Sequence, residues 1–188
     1  MSGQGPAPVQ GLHPLLRARW SPLGFDEGPV VAREQVELLL EAARWAPSAG
    51  NSQPWSFIVA RRGDEAHGRV FKHLAPSSAA WAPRASLLVV NLCHRFVEDS
   101  DWEYSEFSSY DLGQAVAHMT FQGLAMGLTA RQFRAFDKDG LSSEFALPPH
   151  WEISTITAFG PIPQRDPGAR DRRPTNDLLW PADTGDVA

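Results

Sequence analysis

The chain has 188 residues, 43% of them hydrophobic, and its 17 Lys and Arg against 22 Asp and Glu give a formal charge of −5; that length suits one core burying roughly 70% of the unfolded surface. The negative balance disfavours a nucleic-acid partner, no apolar run approaches the roughly 20 residues that cross a bilayer, and the polar start Met1 to Val9 lacks the regions of a signal peptide, so a cytoplasmic protein with no membrane partner is expected. Cys93 is the only cysteine and the six histidines have no H-E-x-x-H spacing, which removes an intrachain disulfide, a cysteine-rich metal site and the common zinc motifs.

Residues 1–10 read as a tail, 11–180 as one domain and 181–188 as a second tail. Within the domain, Val36, Leu39, Leu40 and Ala43 follow the i, i+3, i+4, i+7 spacing of an amphipathic helix over Arg33 to Trp45. Pro47 stops it, because the proline ring disfavours helical geometry in the residue before it. The next residues, Ser48 to Gln53, are small or carry amides and hydroxyls. They permit close approach to the backbone and can read a polar ring edge. Residues alone leave two readings open, a ligand cradle or an ordinary polar turn.

Trp55 to Ala60 is a β-prone run and Asp64 to Leu74 a short helix. Ala85 to Leu92 is continuously apolar at Leu87, Leu88, Val89 and Val90, as a strand buried on both faces would be. Asp99 to Phe107 is acidic and aromatic and reads as a loop or lid. Ser108 and Asp111 suggest a capping box at the start of a long helix that Gly127 ends. Along it Leu112, Ala115, Val116, Met119, Gly123 and Leu124 form a stripe that suits either the core or a dimer seam. Asp137 can cap a helix over Lys138 to Ala146, closed by Pro148 and Pro149. Trp151 to Phe159 is the last strand expected.

No G-x-G-x-x-G, G-x-x-x-x-G-K-[ST] or G-x-S-x-G is present, so Rossmann, P-loop and α/β-hydrolase readings lose their support. The stretch Ala46-Pro47-Ser48-Ala49-Gly50-Asn51-Ser52-Gln53-Pro54-Trp55 instead resembles the A-P-S-x-x-N-x-Q-P-W signature of the nitroreductase family of flavin mononucleotide (FMN) enzymes. Arg19-Trp20-Ser21-Pro22-Leu23-Gly24-Phe25 is similar to that family's N-terminal R-x-S-x-[RK]-x-F motif. Asp111 to Ala115 through Gly127-Leu128 resembles its central helix, Phe136-Asp137 the end of its G-F-D segment, and Phe159-Gly160-Pro161 with Arg170 to Pro174 its closing strand and basic tail.

The resemblance implies an α+β fold: a nitroreductase-like three-layer α/β/α sandwich with a mixed, mainly antiparallel sheet, entwined as a homodimer with flavin at the subunit interface. It implies FMN as cofactor, NADPH or NADH as reductant, and a small electron acceptor, nitroaromatic, quinone or related, served by ping-pong hydride transfer with no side-chain acid or base. The implied cofactor-binding residues are Arg19, Trp20 and Ser21, the loop Pro47, Ser48, Ala49, Asn51 and Gln53, the N5-facing Arg134 and Ala135, and Arg170, Arg172 and Arg173 for the phosphate. As residues alone, the tail arginines read equally as a solvated basic turn.

The chain departs from the pattern in four places. Leu23 stands where Arg or Lys is usual, Ala135 replaces the glycine of G-F-D, no Asn occurs in Ser78-Ala79-Ala80-Trp81 where many members use one to read the flavin edge, and the lid is reduced to Asp99 to Phe107. These leave room for a specialised flavin enzyme on the same fold, such as a dehalogenase, a flavin-fragmenting synthase or an azoline dehydrogenase, or for a non-catalytic flavin-binding protein.

Overall fold

The apolar run at its centre decides the architecture. In the computed structural model, which describes residues 10–162 and 170–180, strand β2 (Leu87–His94) is buried on both faces from Leu87 to Cys93. It is flanked by β1 (Trp55–Arg61) and β4 (Trp151–Pro161), and β3 (Leu128–Phe133) adds to the outer side of β4, giving the order β1-β2-β4-β3 with every described pairing antiparallel. The tails expected at 1–10 and 181–188 lie, apart from residue 10, outside the described residues.

Strand alternation sends β2 side chains to two separate cores. Leu87 and Val89 pack with Phe159 and Ala130 against α2 (Arg33–Arg44) and α5 (Ser108–Ala125), which contribute Val36, Leu39, Ala43, Ala115 and Met119. Leu88 and Val90 pack with Ile156 and Ala158 on the opposite face, beneath Val70 of α3 (Glu65–Lys72), Leu141 of α6 (Lys138–Glu144) and Ala82, just beyond the short helix α4 (Pro76–Ala79). Helices on both faces of one sheet make the three-layer α+β sandwich. Burying each such Leu or Val contributes about 1.5–3 kcal/mol, so both cores are needed to hold the sheet.

The stripe on α5 belongs to this core. Leu112, Ala115, Val116, Met119 and Gly123 are buried within the chain, and a Cβ at Gly123 would stand 2.9 Å from Phe159 Cε1. The helix therefore approaches β4 as closely as only glycine allows. Gly127, at φ 79°, turns the chain from α5 into β3.

Three local expectations are corrected. Phe107, not Ser108, occupies the cap position of α5, and the Asp111 carboxylate makes no capping box because it is used elsewhere. Helix α6 stops at Glu144, two residues before the expected end, as Ala146 enters the left-handed region at φ 49°. Helix α1 (Pro14–Ala18), α4 and strand β3 were not foreseen. Asp137 does cap α6, its Oδ1 accepting from the Gly140 N–H at 3.0 Å.

Candidate functional site

The first part of the site is the loop between α2 and β1. Ala49–Asn51 form a single 3-10 turn, and the backbone is left-handed at Gly50 (φ 59°), Asn51 (φ 56°) and Gln53 (φ 47°). Asparagine tolerates that region and glutamine does so poorly, so the conformation must be held from outside. Ser48 Oγ accepts from the Gln53 N–H at 3.0 Å, and Asp111 Oδ2 accepts from the Ala49 N–H at 3.0 Å. Asp111 is 2% exposed and also takes a bond from Gln114 Nε2 at 3.3 Å. From the acidic segment, the Tyr104 hydroxyl donates to the Ser52 carbonyl at 2.9 Å. Pro47, Asn51 and Gln53 are left exposed on the outer side of the loop.

The second part is a basic cleft near the C-terminal half of α5. Arg19 caps α1, and its Nη1 donates to Ser21 Oγ at 3.4 Å. Arg170 arrives from the tail and donates from Nη1 to the Arg19 carbonyl at 2.8 Å. Burial, then the charges of Arg172 and Arg170, push the Arg19 guanidinium below its ordinary pKa. Three guanidinium groups thus share one locus, and among the described residues none has a carboxylate within salt-bridge distance. A cleft of about 340 Å³ opens beside them, lined by Arg19, Ser21, Ala117, Thr120, Phe121, Ala130 and Gln132. Trp20 turns its carbonyl to Thr129 Oγ1 at 3.5 Å, while Arg173 is exposed.

The third part follows β3. The Ala135 carbonyl accepts from the Ala75 N–H at 3.1 Å, the Asp137 N–H donates to the His73 carbonyl at 2.8 Å, and Leu74 bridges Phe136. That short antiparallel pairing fixes residues 135–137, and the Ala135 N–H makes no hydrogen bond among the described residues. Arg134 reaches back to the Ser154 carbonyl at 3.0 Å.

Asp111, Thr120, Phe121 and Gln132 were not singled out for the site from the sequence. A polar residue at 132 on a strand facing the cleft is the one local sign that could have marked it. In chemical terms the arginines suit a dianion such as a phosphate, the loop suits a polar ring edge, and the Ala135 N–H suits an acceptor nitrogen or oxygen. No group of three His, Cys, Asp or Glu side chains among the described residues suits a metal ion. The chemistry of the set is compatible with FMN.

A three-layer sandwich with a basic cleft and an amide-bearing loop defines a class of domain that can hold an organic, phosphate-bearing ligand. The chain belongs to the nitroreductase family, whose model matches residues 16–161. It is 31% identical over 155 residues to a Streptomyces coelicolor protein provisionally named NADH dehydrogenase/NAD(P)H nitroreductase, a match covering 71% of this chain and 74% of the relative. Among solved structures, an oxidoreductase containing FMN superposes with a TM-score of 0.81 at 26% identity, covering 98% of this chain and 96% of that one. A provisionally named nitroreductase of Desulfovibrio desulfuricans in complex with FMN superposes with a TM-score of 0.74 at 27% identity, covering 90% and 97%.

Proposed function

We propose that the protein is an FMN-dependent oxidoreductase that passes hydride from NADH or NADPH to a small acceptor, nitroaromatic, quinone or related, in two half-reactions at one site. The observation that carries this reading is the gathering of Arg19, Arg170 and Arg172 beside the cleft, with no carboxylate in salt-bridge distance of them among the described residues. A half-buried Arg19 with two further cations beside it is stabilised when an anion joins them, and a flavin phosphate is such an anion. FMN bound there would supply the hydride chemistry. The chain's own residues would orient it: the arginines anchor one end, Ser48, Asn51 and Gln53 face its polar edge, and the Ala135 N–H donates toward the ring.

We also propose a homodimer, a reading that the positions of the parts support. The loop is tied to Asp111, whereas the cleft uses Ala117, Thr120 and Phe121, a displacement of roughly 9–15 Å along α5 at 1.5 Å per residue. Two half-sites on one chain make sense if a second copy completes each. An apolar depression of about 310 Å³ lined by Leu15, Ala42, Trp45, His118, Phe121 and Ala125 adjoins the cleft through Phe121, with Trp45 73% exposed. We assign this face to the partner subunit. The reading also treats residues 11–180 as one domain and sets the protein in the cytoplasm. No helix among the described residues is long and apolar enough to cross a membrane.

The test is the visible spectrum of the purified protein before and after anaerobic NADH and NADPH. Bound flavin that bleaches supports the reading, and a colourless protein that takes up no FMN sinks it. Light scattering at the mass of one chain would remove the dimer.

A further inference from the structure

The acidic segment that the sequence suggested as a lid folds back onto the end of β2. The Val97 N–H donates to the Trp102 carbonyl at 2.8 Å and the Tyr104 N–H to the Arg95 carbonyl at 2.9 Å, with Phe96 bridging Glu103. This return lays the Tyr104 ring on His94, the last residue of β2, at a centroid distance of 3.8 Å and an interplanar angle of 20°. Trp151 stacks on the same imidazole at 4.6 Å and 13°. Two rings this close cannot share one face, so His94 is sandwiched between them. The Tyr104 hydroxyl then reaches on to the Ser52 carbonyl at 2.9 Å. Asp111 at Ala49 and Tyr104 at Ser52 are the two side chains that hold the 48–53 loop from elsewhere in the described chain.

Inside this stack His94 Nε2 is sealed from solvent and has no hydrogen-bond partner among the described residues. A neutral imidazole can leave a lone pair there; the cation must present N–H donors at both nitrogens and cannot satisfy this one. The two ring faces favour a cation, but an unpaired donor cut off from water costs more. Burial, then His150 at a centroid distance of 5.4 Å, push the His94 pKa below its ordinary 6.5, against the opposing pull of the Phe96 backbone and Glu98. The other charges around the stack are committed elsewhere. Arg95 pairs with Glu152 at 3.4 Å, Glu152 also takes Lys138 at 2.5 Å, and Asp111 on α5 is bound to Ala49.

We propose that Tyr104 is a positioning residue for the loop facing the flavin's polar edge and that His94 is its proton-sensitive support: protonation of His94 opens the stack and frees Ser52 from the Tyr104 hydroxyl. The consequence for the cofactor rests on the FMN reading above; the release of the loop does not. Because the closed stack disfavours the cation, its hold on Ser52 is complete above pH 6.5 and is lost as pH falls from there through the depressed value. One proton can weaken that hold by at most about tenfold per pH unit.

The test is deuterium exchange at the Ser52 and Gln53 amides of the full chain at pH 7.5 and 5.5, corrected for intrinsic rates, with and without added FMN. The parent should exchange about threefold to tenfold faster at pH 5.5. Tyr104→Phe keeps a ring on His94 without the hydroxyl, and should already exchange about threefold to tenfold faster at pH 7.5, with no further rise at pH 5.5. His94→Phe keeps a flat ring that takes no proton and should hold the parent's pH 7.5 rate at both values. FMN affinity should fall about threefold to tenfold more in the parent than in His94→Phe, the ionisation of the flavin phosphate being common to both. A parent whose corrected exchange is the same at the two pH values overturns the proposal without any variant. So do equal pH dependence in parent and His94→Phe, or parent-like exchange in Tyr104→Phe at pH 7.5. If His94→Phe fails to fold, Tyr104→Phe decides: a pH dependence equal to the parent's overturns the proposal and its loss supports it. A parent that binds no FMN removes the function reading and leaves the latch to the exchange rates, whereas pH-independent exchange in a flavin-binding protein removes the latch alone.

Discussion

Replacing Asp111 by alanine tests whether the α2–β1 loop is held in place by one buried carboxylate. The carboxylate accepts from the Ala49 N–H at 3.0 Å and is 2% exposed, and such a charge-assisted bond contributes about 1.5–3 kcal/mol. Against it stands the left-handed backbone of Gln53 at φ 47°, which costs roughly 1–3 kcal/mol. The two terms are of similar size, so the loop keeps its shape only while the anchor is present. Without it the amides of Ala49 to Gln53 should exchange with deuterium about ten to a hundred times faster. The melting temperature should fall by about 3–12 °C, at 2–4 °C per kcal/mol for a domain of this size. FMN affinity should drop about tenfold, since binding must then order the loop. Asp111→Asn keeps an acceptor without the charge and should lose about half as much. Parent-like exchange at Ala49 to Gln53, together with an unchanged melting temperature in Asp111→Ala, would refute the reasoning.

The phosphate assignment predicts that Arg19→Ala and Arg172→Ala each weaken FMN by about 1.5–3 kcal/mol, tenfold to a hundredfold in a fluorescence titration. Neither should destabilise the FMN-free protein, because each removes a cation that repels its neighbours; unchanged affinity in both variants would dissolve the assignment. A pH effect follows from Glu144, whose hydrogen bonds from Arg69 and His73, with Lys72 nearby, hold its pKa below the ordinary 4.5 and tie α3 to α6. A depressed carboxylate stabilises the fold fully above 4.5 and loses that contribution as pH falls through its folded value. Melting temperatures taken from pH 6 down to pH 3 should therefore decline less steeply in Glu144→Gln than in the parent, and identical slopes would show that the contacts contribute nothing.

What the sequence made legible was set by the distance over which each signal acts. Helix α2 and its stop at Pro47 were readable because periodicity and proline geometry act within a few residues. The doubly buried β2 was equally plain from four consecutive apolar residues. Asp111 was read as the capping partner of Ser108 because that is the local use of an acidic residue there, whereas its partner Ala49 lies 62 positions away. Strand β3 stayed hidden for the same reason. Arg131 and Gln132 break its apolar pattern, and Arg131 finds its acceptor at Leu23, 108 positions distant. Arg170 meets the Arg19 carbonyl across 151 positions, so composition could name the basic residues without showing that they gather.

The departures from the family pattern show the same thing from the other side. Taken one at a time along the chain, Leu23 and the missing Asn before Trp81 look like losses from a cofactor site. In space they adjoin one guanidinium that touches both segments. A linear motif counts charges at fixed positions, but a bound ring responds to the field at a point, whichever strand supplies it. A motif departure is therefore evidence of lost function only after the neighbours of that position in the fold have been searched for a replacement.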